Sequence, residues 1–223
     1  MARVSRPRLG RWATAVVASA LVLAGGALLA EGLRSQHHAP QPQRAAAGVL
    51  YRPPAPTTTA MASSGRATTS TTSPAKQVAD PVAIDIPAIG VHSGLGQVGL
   101  MADHTIQVPT SFDTASWFRL GVRPGANGPA IILGHVDSKS GPGVFFRLGA
   151  LHPGDTIAVA RADGSHTSFT VTAVRSYAKA AFPSLAVYGD TPTPTIRLIT
   201  CGGAFDSATG HYLSNTIVFG QQT

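Results

Sequence analysis

Residues 196–203 read IRLITCGG, and this stretch says most about both the fold and the chemistry of the chain. Its Ile, Leu and Thr side chains favour a buried β-strand, and the two glycines end the run. Cys201, the single cysteine of the chain, closes this predicted strand. Because a lone thiol cannot form a disulfide within the chain, Cys201 is an inert buried side chain, half of an intermolecular disulfide or a reactive nucleophile.

A second apolar run ends in His135, since residues 130–135 read AIILGH. Cysteine attacks as the thiolate, which a nearby imidazole can generate or stabilise. If the two predicted strands lie side by side, Cys201 and His135 form such a pair. The alternative is a turn histidine that binds Asp137 or the backbone.

Charge is distributed unevenly along the chain, whose net charge is +7. Residues 1–79 hold nine Lys and Arg against one acid, whereas residues 80–223 hold eight against nine Asp. The second part therefore has no basic excess with which to attract a phosphate backbone, and we expect no nucleic-acid partner.

Residues 1–33 are predicted to be a cytoplasmic basic tail followed by a transmembrane signal anchor. Four arginines precede an uncharged run from 12 to 30, which approaches the ~20 residues that a membrane-spanning helix needs. A cleaved export signal is the alternative, because Ala27 and Ala30 end the run. Residues 34–79 are dominated by Pro, Thr, Ser and Ala and are predicted to be a disordered linker, which leaves residues 80–221 as the folded domain.

The folded part is predicted to be mainly β, because short β-rich runs alternate with turn sequences. Asp163-Gly164 lies between two of these runs and predicts a hairpin. The even spacing favours a closed barrel or a sandwich. The predicted strands are 82–86, 105–108, 130–135, 156–160, 168–177, 195–201 and 216–219, and the predicted short helices are 113–120 and 183–188.

Five ordered motifs resemble the sortases, the cysteine transpeptidases of Gram-positive cell surfaces. LITC at 198–201 resembles their TLxTC signature, and Gly134-His135 resembles their histidine motif. The other three are IDIPAIGV at 84–91, the turn at 124–128 and PGD at 153–155. The resemblance covers about residues 80–221, and residues 200–215 look most like the actinobacterial class F group.

The resemblance implies a closed eight-stranded β-barrel with short helices. It implies that Cys201 attacks an LPxTG-type sorting signal between Thr and Gly and forms a thioacyl intermediate. An amine of peptidoglycan or of a pilin then resolves this intermediate. His135 would protonate the leaving amine and later accept a proton from the incoming one. The catalytic domain would lie outside the cell, held at the membrane by the anchor.

One departure from the family pattern concerns an arginine that sortases usually place on the strand after the cysteine. No arginine follows Arg197 here, and the matching position holds Asn215. An amide can donate hydrogen bonds to an oxyanion, so we predict this role for Asn215. His211, Arg119 and Arg123 are the alternatives.

Thr200 precedes the nucleophile and is the predicted substrate-binding residue. We expect no metal and no cofactor, because the acids are scattered along the chain. Two alternative functions are consistent with the same sequence. One is a secreted cysteine hydrolase with water as the acceptor, and the other is a non-catalytic surface β-domain in which Cys201 is buried.

Overall fold

The computed structural model describes residues 39–43 and 77–223. Short alternating runs form ten strands in this part of the chain, joined by turns and three short 3-10 helices. The one α-helix among the described residues, α1, is a single short segment, Ser184–Tyr188. The strands are β1 (Pro81–Ile86), β2 (Val91–Val98), β3 (Ala115–Phe118), β4 (Gly128–Leu133), β5 (Asp137–Ser138), β6 (Gly141–Pro142), β7 (Thr156–Arg161), β8 (His166–Ala178), β9 (Pro194–Asp206) and β10 (His211–Gln222).

Eight of these strands close into a barrel in the order β1-β2-β3-β4-β9-β10-β8-β7. The pairs β2–β3 and β4–β9 are parallel, and the other neighbours are antiparallel. Closure leaves no unpaired sheet edge. The mainly β, eight-stranded barrel with short helices is therefore confirmed, and the sandwich alternative is wrong.

The barrel interior holds the main hydrophobic core, because alternate residues of each strand point inward. In β9 the inward residues are Ile196 and Leu198, both fully buried. Trp117 of β3 and Phe169 of β8 are the largest side chains in this core. Each fully buried side chain of this kind stabilises the barrel by about 1.5–3 kcal/mol relative to its exposed state.

A second, smaller cluster covers the outer face of the same sheet. Ile131 of β4, Ile199 of β9 and Ile217 of β10 pack there against Val187 of α1. Residues 178–193 thus close over one end of the outer face. The remaining outer surface of β4, β9 and β10 is not covered by this segment and lines an open groove.

Two predicted elements are wrong. Residues 113–120 contain β3 rather than a helix, because Ser116 and Trp117 pair with β4 and bury their side chains. Residues 105–108 form no strand and have only an isolated bridge, between Ile106 and Leu100, outside the barrel strands. Their backbone groups bond locally instead, since the Gln107 amide donates to the Gly99 carbonyl and the Thr105 carbonyl accepts from the Met101 amide.

β2 was not predicted from the sequence, because it is rich in glycine and polar residues. It forms because β1 pairs with one of its edges and β3 with the other. Gly96 is needed where β2 passes β3, since a Cβ there would lie 2.9 Å from the Ser116 hydroxyl. Tertiary pairing therefore overrides weak local propensity.

The predicted hairpin around Asp163-Gly164 is confirmed, with Ile157 opposite Phe169 across β7 and β8. The predicted anchor, residues 12–30, lies outside the described residues. Among the residues that are described, no helix has the length and apolarity needed to cross a membrane.

Candidate active site

The pairing of β4 with β9 brings the two predicted reactive residues to the same place. These strands run parallel, with Leu133 opposite Ile199, and the Gly134 amide donates to the Ile199 carbonyl at 3.1 Å. His135 and Cys201 each lie two residues beyond this pair, on the outer face. Neighbouring strands are about 4.8 Å apart, so the register brings the two residues to the same region of the outer face, where both line one cavity.

Both residues line one open cavity of about 1440 Å³ on the outside of the barrel. Its floor is the outer face of β4, β9 and β10. Its two walls are the connections formed by residues 99–114 and 179–193. The cavity therefore gathers residues from distant parts of the sequence, including His135, Thr200, Cys201, Asn215, Lys179 and Tyr212.

His135 is held by two contacts from one wall. Its Nε2 lies 2.6 Å from the Pro109 carbonyl oxygen, and its ring packs 4.3 Å from the ring of Phe112. A carbonyl can only accept, so Nε2 carries a proton and donates it. In the neutral imidazole Nδ1 is then the free acceptor, and it is the ring atom available for proton exchange.

Cys201 is half-buried and is not part of a disulfide. Its Sγ accepts a hydrogen bond from the Lys179 Nζ at 3.7 Å. Sequence reasoning missed Lys179, because it lies far from Cys201 along the chain and no motif marks it. The Lys179 ammonium reaches the Cys201 sulfur because β8, β10 and β9 are adjacent strands of the barrel.

Asn215 faces Cys201 directly across the β9–β10 pair. It is half-buried and lines the cavity, on the same outer face as the thiol. The structure thus places the predicted oxyanion donor beside the predicted nucleophile.

The three alternatives to Asn215 lie elsewhere. His211 lines the cavity but is exposed at the far end of β10, opposite Asp206. Arg123 donates to Asp80 at 2.6 Å, and neither Arg123 nor Arg119 lines the cavity. Of these residues, Asn215 is the one that lies opposite Cys201.

Thr200 lies between the cavity and the barrel interior. It contributes to the cavity wall, yet only 4% of its surface is exposed. Its Oγ1 is buried and has no hydrogen-bond partner among the described residues. Strand alternation places this side chain inward with Leu198, so a contact with substrate would use the Thr200 backbone.

Asp137 and Tyr212 connect the segment after His135 to β10. The Tyr212 hydroxyl donates to Asp137 Oδ2 at 2.5 Å. Burial, together with the Asp137 carboxylate, raises the pKa of Tyr212 to about 12. The phenol is therefore neutral under ordinary conditions and remains a donor, which ties β5 to the cavity floor.

Two residues of the predicted linker, Pro40 and Gln41, contact the domain. The Gly203 amide donates to Gln41 Oε1 at 3.2 Å, two residues after Cys201. On the other side, a Cβ at Gly149 would meet the Pro40 carbonyl oxygen at 2.0 Å. Pro40 and Gln41 thus pack closely against Gly149, where their backbone leaves no room for a Cβ.

No group of three or more His, Cys, Asp or Glu side chains within residues 39–43 and 77–223 has the arrangement of a metal site. The polar side chains that line the cavity include a thiol, imidazoles, an amide, an ammonium group, a phenol and the carboxylates of Asp137 and Asp190.

Comparison with known proteins agrees with this geometry. A family model for the sortase domain matches residues 84–223. No curated protein is significantly similar to the chain in sequence. Solved structures of sortases share the fold at low identity.

Three of these structures illustrate the likeness. Sortase C1 from Streptococcus agalactiae has a TM-score of 0.49 and 19% identity, over 63% of this chain and 66% of that one. Sortase A from Corynebacterium diphtheriae has a TM-score of 0.51 and 18% identity, over 67% and 63%. Sortase C-1 from Actinomyces oris has a TM-score of 0.51 and 19% identity, over 65% and 75%.

The matched region spans slightly less than two thirds of the Streptococcus and Corynebacterium proteins. The likeness to the Corynebacterium and Actinomyces structures agrees with the barrel fold, and the family model covers nearly all of residues 77–223. The chain therefore belongs to the sortase family.

Proposed function

We propose that this chain is a cysteine transpeptidase that cleaves an LPxTG-type sorting signal and transfers the cleaved protein to an amine. The observation that carries the proposal is the parallel β4–β9 register together with the open cavity that both His135 and Cys201 line. Membership of the sortase family supports the same reaction. Within that family, the sequence around residues 200–215 favours class F.

The first half-reaction forms the thioester. The Cys201 thiol gives its proton to Nδ1 of His135, the sulfur bonds to the threonine carbonyl carbon of the sorting signal, and the carbonyl oxygen takes up the negative charge. Collapse of this intermediate breaks the Thr–Gly carbon–nitrogen bond. The departing amine takes its proton from Nδ1 of the His135 imidazolium, whose Nε2 stays bound to the Pro109 carbonyl.

The second half-reaction reverses these steps with a new amine. The amine nitrogen bonds to the thioester carbon and gives a proton to His135. The carbon–sulfur bond then breaks and the Cys201 thiolate leaves. Asn215 supports both steps, because a side-chain amide opposite Cys201 can donate to the oxygen that carries the charge.

The substrates and the location follow from the same proposal. The partners are a sorting-signal peptide of a surface protein and an amine of peptidoglycan or of a pilin. We propose a single-pass anchor at residues 12–30 and an extracellular catalytic domain, supported by the arginines that precede an uncharged run. Exposed apolar side chains on both walls, including Val108 and Tyr188, suit the apolar part of a peptide.

The test is mass spectrometry of the protein incubated with a library of Leu-Pro-Xaa-Thr-Gly peptides. The expected result is an added acyl group on Cys201, equal in mass to the peptide portion that ends in Thr. Cys201→Ala is the control and should form no adduct. An unmodified Cys201 across the whole library would contradict the proposal.

Addition of triglycine or diaminopimelate separates transfer from hydrolysis. A transpeptidase joins the amine to the threonine carbonyl and gives a ligated product. A hydrolase releases only the free acid, and a non-catalytic domain leaves the peptide intact. The ligated product is the expected outcome.

A further inference from the structure

Lys179 is far from Cys201 in the sequence, but the order of the strands brings it next to the Cys201 sulfur. It is the first residue of the 3-10 helix Lys179–Ala181, immediately after β8. β8 lies beside β10, with Tyr177 opposite Asn215, and Asn215 lies opposite Cys201. β8 therefore ends level with the thiol, where the lysine Nζ reaches Sγ.

Among the described residues that line the cavity, Lys179 is the one Lys or Arg. The carboxylates that line the same cavity are Asp137, whose Oδ2 accepts from Tyr212, and Asp190. Neither forms an ion pair with Lys179 within the described residues. The ammonium group is thus directed at the sulfur and is not neutralised by a described acid.

The helix that carries Lys179 is well anchored on both sides. Tyr177 and Phe182 pack against the second hydrophobic cluster on the outer face of the sheet. Val187 of α1, a few residues further, is fully buried in that cluster. The backbone at Lys179 is therefore positioned by packing, although its side chain is exposed.

We propose that Lys179 is a catalytic residue that supplies the positive charge of this site, in place of the arginine absent after Cys201. The proposal rests on the role of Cys201 in the proposed function. A cation beside sulfur attracts the thiolate, the form that attacks. Once sulfur has bonded to the carbonyl carbon, the charge lies on the adjacent oxygen, within reach of the same ammonium protons.

Lys179 and His135 then have separate tasks. Lys179 keeps its proton throughout and balances negative charge, first on sulfur and then on oxygen. His135 gives and takes the proton that the leaving and incoming amines require. Asn215 adds a neutral donor to the same oxygen, so amide and ammonium together do what one guanidinium could do.

The test measures the reactivity of Cys201 without any substrate. The full chain is treated at neutral pH with iodoacetamide, which is neutral, and with iodoacetate, which is anionic, and labelling is followed by mass spectrometry. The variants are Lys179→Met, which keeps the length but not the charge, and Lys179→Arg. The matched control is Lys139→Met, at an exposed lysine outside the cavity.

The expected loss is modest, because Lys179 is exposed and water screens its charge. Lys179→Met should slow alkylation by iodoacetamide about three- to fivefold, and alkylation by iodoacetate by more. Lys179→Arg should keep most of the rate with both reagents. Lys139→Met should match the unsubstituted chain.

The outcomes separate this proposal from the proposed function. Equal rates in Lys179→Met and Lys139→Met, with normal labelling of Cys201, overturn the role of Lys179 alone. A Cys201 that labels in none of the proteins overturns the nucleophile itself. If Lys179→Met slows both reagents equally and also lowers the unfolding midpoint, Lys179 is structural and the proposal fails.

Discussion

The floor and the walls of the active-site cavity differ in how they are built. The floor is part of a closed barrel, and its strands are hydrogen-bonded on both sides and packed on both faces. The walls are connections between strands, one with little regular structure and the other with a 3-10 helix and α1. Both expose apolar side chains to the cavity: Val108 is 65% exposed and Tyr188 is 40% exposed. The barrel therefore positions the reacting groups, and the connections present the surface that a substrate meets.

The walls nevertheless reach the chemistry at two points. From one wall, Pro109 and Phe112 hold the His135 ring. From the other, Lys179 contacts Cys201. The division of labour between floor and walls can be tested by substitutions that separate rate from substrate affinity.

Asn215→Ala should have the largest effect, because it alters the floor beside the nucleophile. Loss of an oxyanion donor is expected to lower kcat by about 10²- to 10³-fold. The measurement is steady-state transfer of a sorting-signal peptide to triglycine. Gln221→Ala, an exposed amide further along β10, is the control. A decrease of less than about threefold would remove Asn215 from the mechanism.

Val108→Asp changes a wall of the cavity and should therefore weaken the binding of the sorting-signal peptide. A carboxylate in an apolar rim is expected to raise KM by about tenfold and to leave kcat nearly unchanged. Leu213→Asp is the matched control, since Leu213 is also exposed but lies outside the cavity. A fall in kcat alone would mean that this wall positions the reacting groups rather than the peptide.

Thr200→Val tests whether the inner face of β9 takes part in binding. The unpartnered buried hydroxyl is replaced by a methyl group of similar size, so the free energy of unfolding should rise by about 1 kcal/mol. Peptide transfer should be unchanged, because the backbone remains. Denaturant unfolding and KM are the two measurements. A clear rise in KM would restore the predicted role of the Thr200 side chain in substrate binding.

The contact between Tyr212 and Asp137 should have the smallest effect, visible only in alkali. Because the fold raises the pKa of Tyr212 from 10 to about 12, it favours the neutral phenol. This contribution to stability is fully present below pH 10 and is lost as the pH rises from 10 to 12.

The measurement is the phenolate absorbance of the chain minus that of Tyr212→Phe. Its midpoint should lie near 12 and should move toward 10 in Asp137→Asn, although burial, the larger cause, remains. An unchanged midpoint in Asp137→Asn would show that the carboxylate does not contact the phenol in solution.

Strands that are stabilised by their own local sequence could be predicted, whereas strands that depend on pairing with distant segments could not. The segments around Cys201 and His135 were predicted because apolar, β-branched runs bounded by glycine form strands with little help from context. β2 and β3 were missed or assigned as helix because their pairing, and not their composition, makes them strands. The contact between Lys179 and Cys201 could not be predicted for the same reason. It forms because β8, β10 and β9 lie side by side in the barrel.

The sequence by itself determined the mainly β character of the domain and marked Cys201 and His135 as the predicted nucleophile and its partner, because these depend on residue types and on local patterns. Only the tertiary structure decided which other groups surround Cys201 and His135. Lys179 and Asn215 lie beside Cys201 and the Pro109 carbonyl binds His135, and all three positions depend on strand order and register. Register is set by long-range pairing and core packing, which no local stretch of sequence encodes.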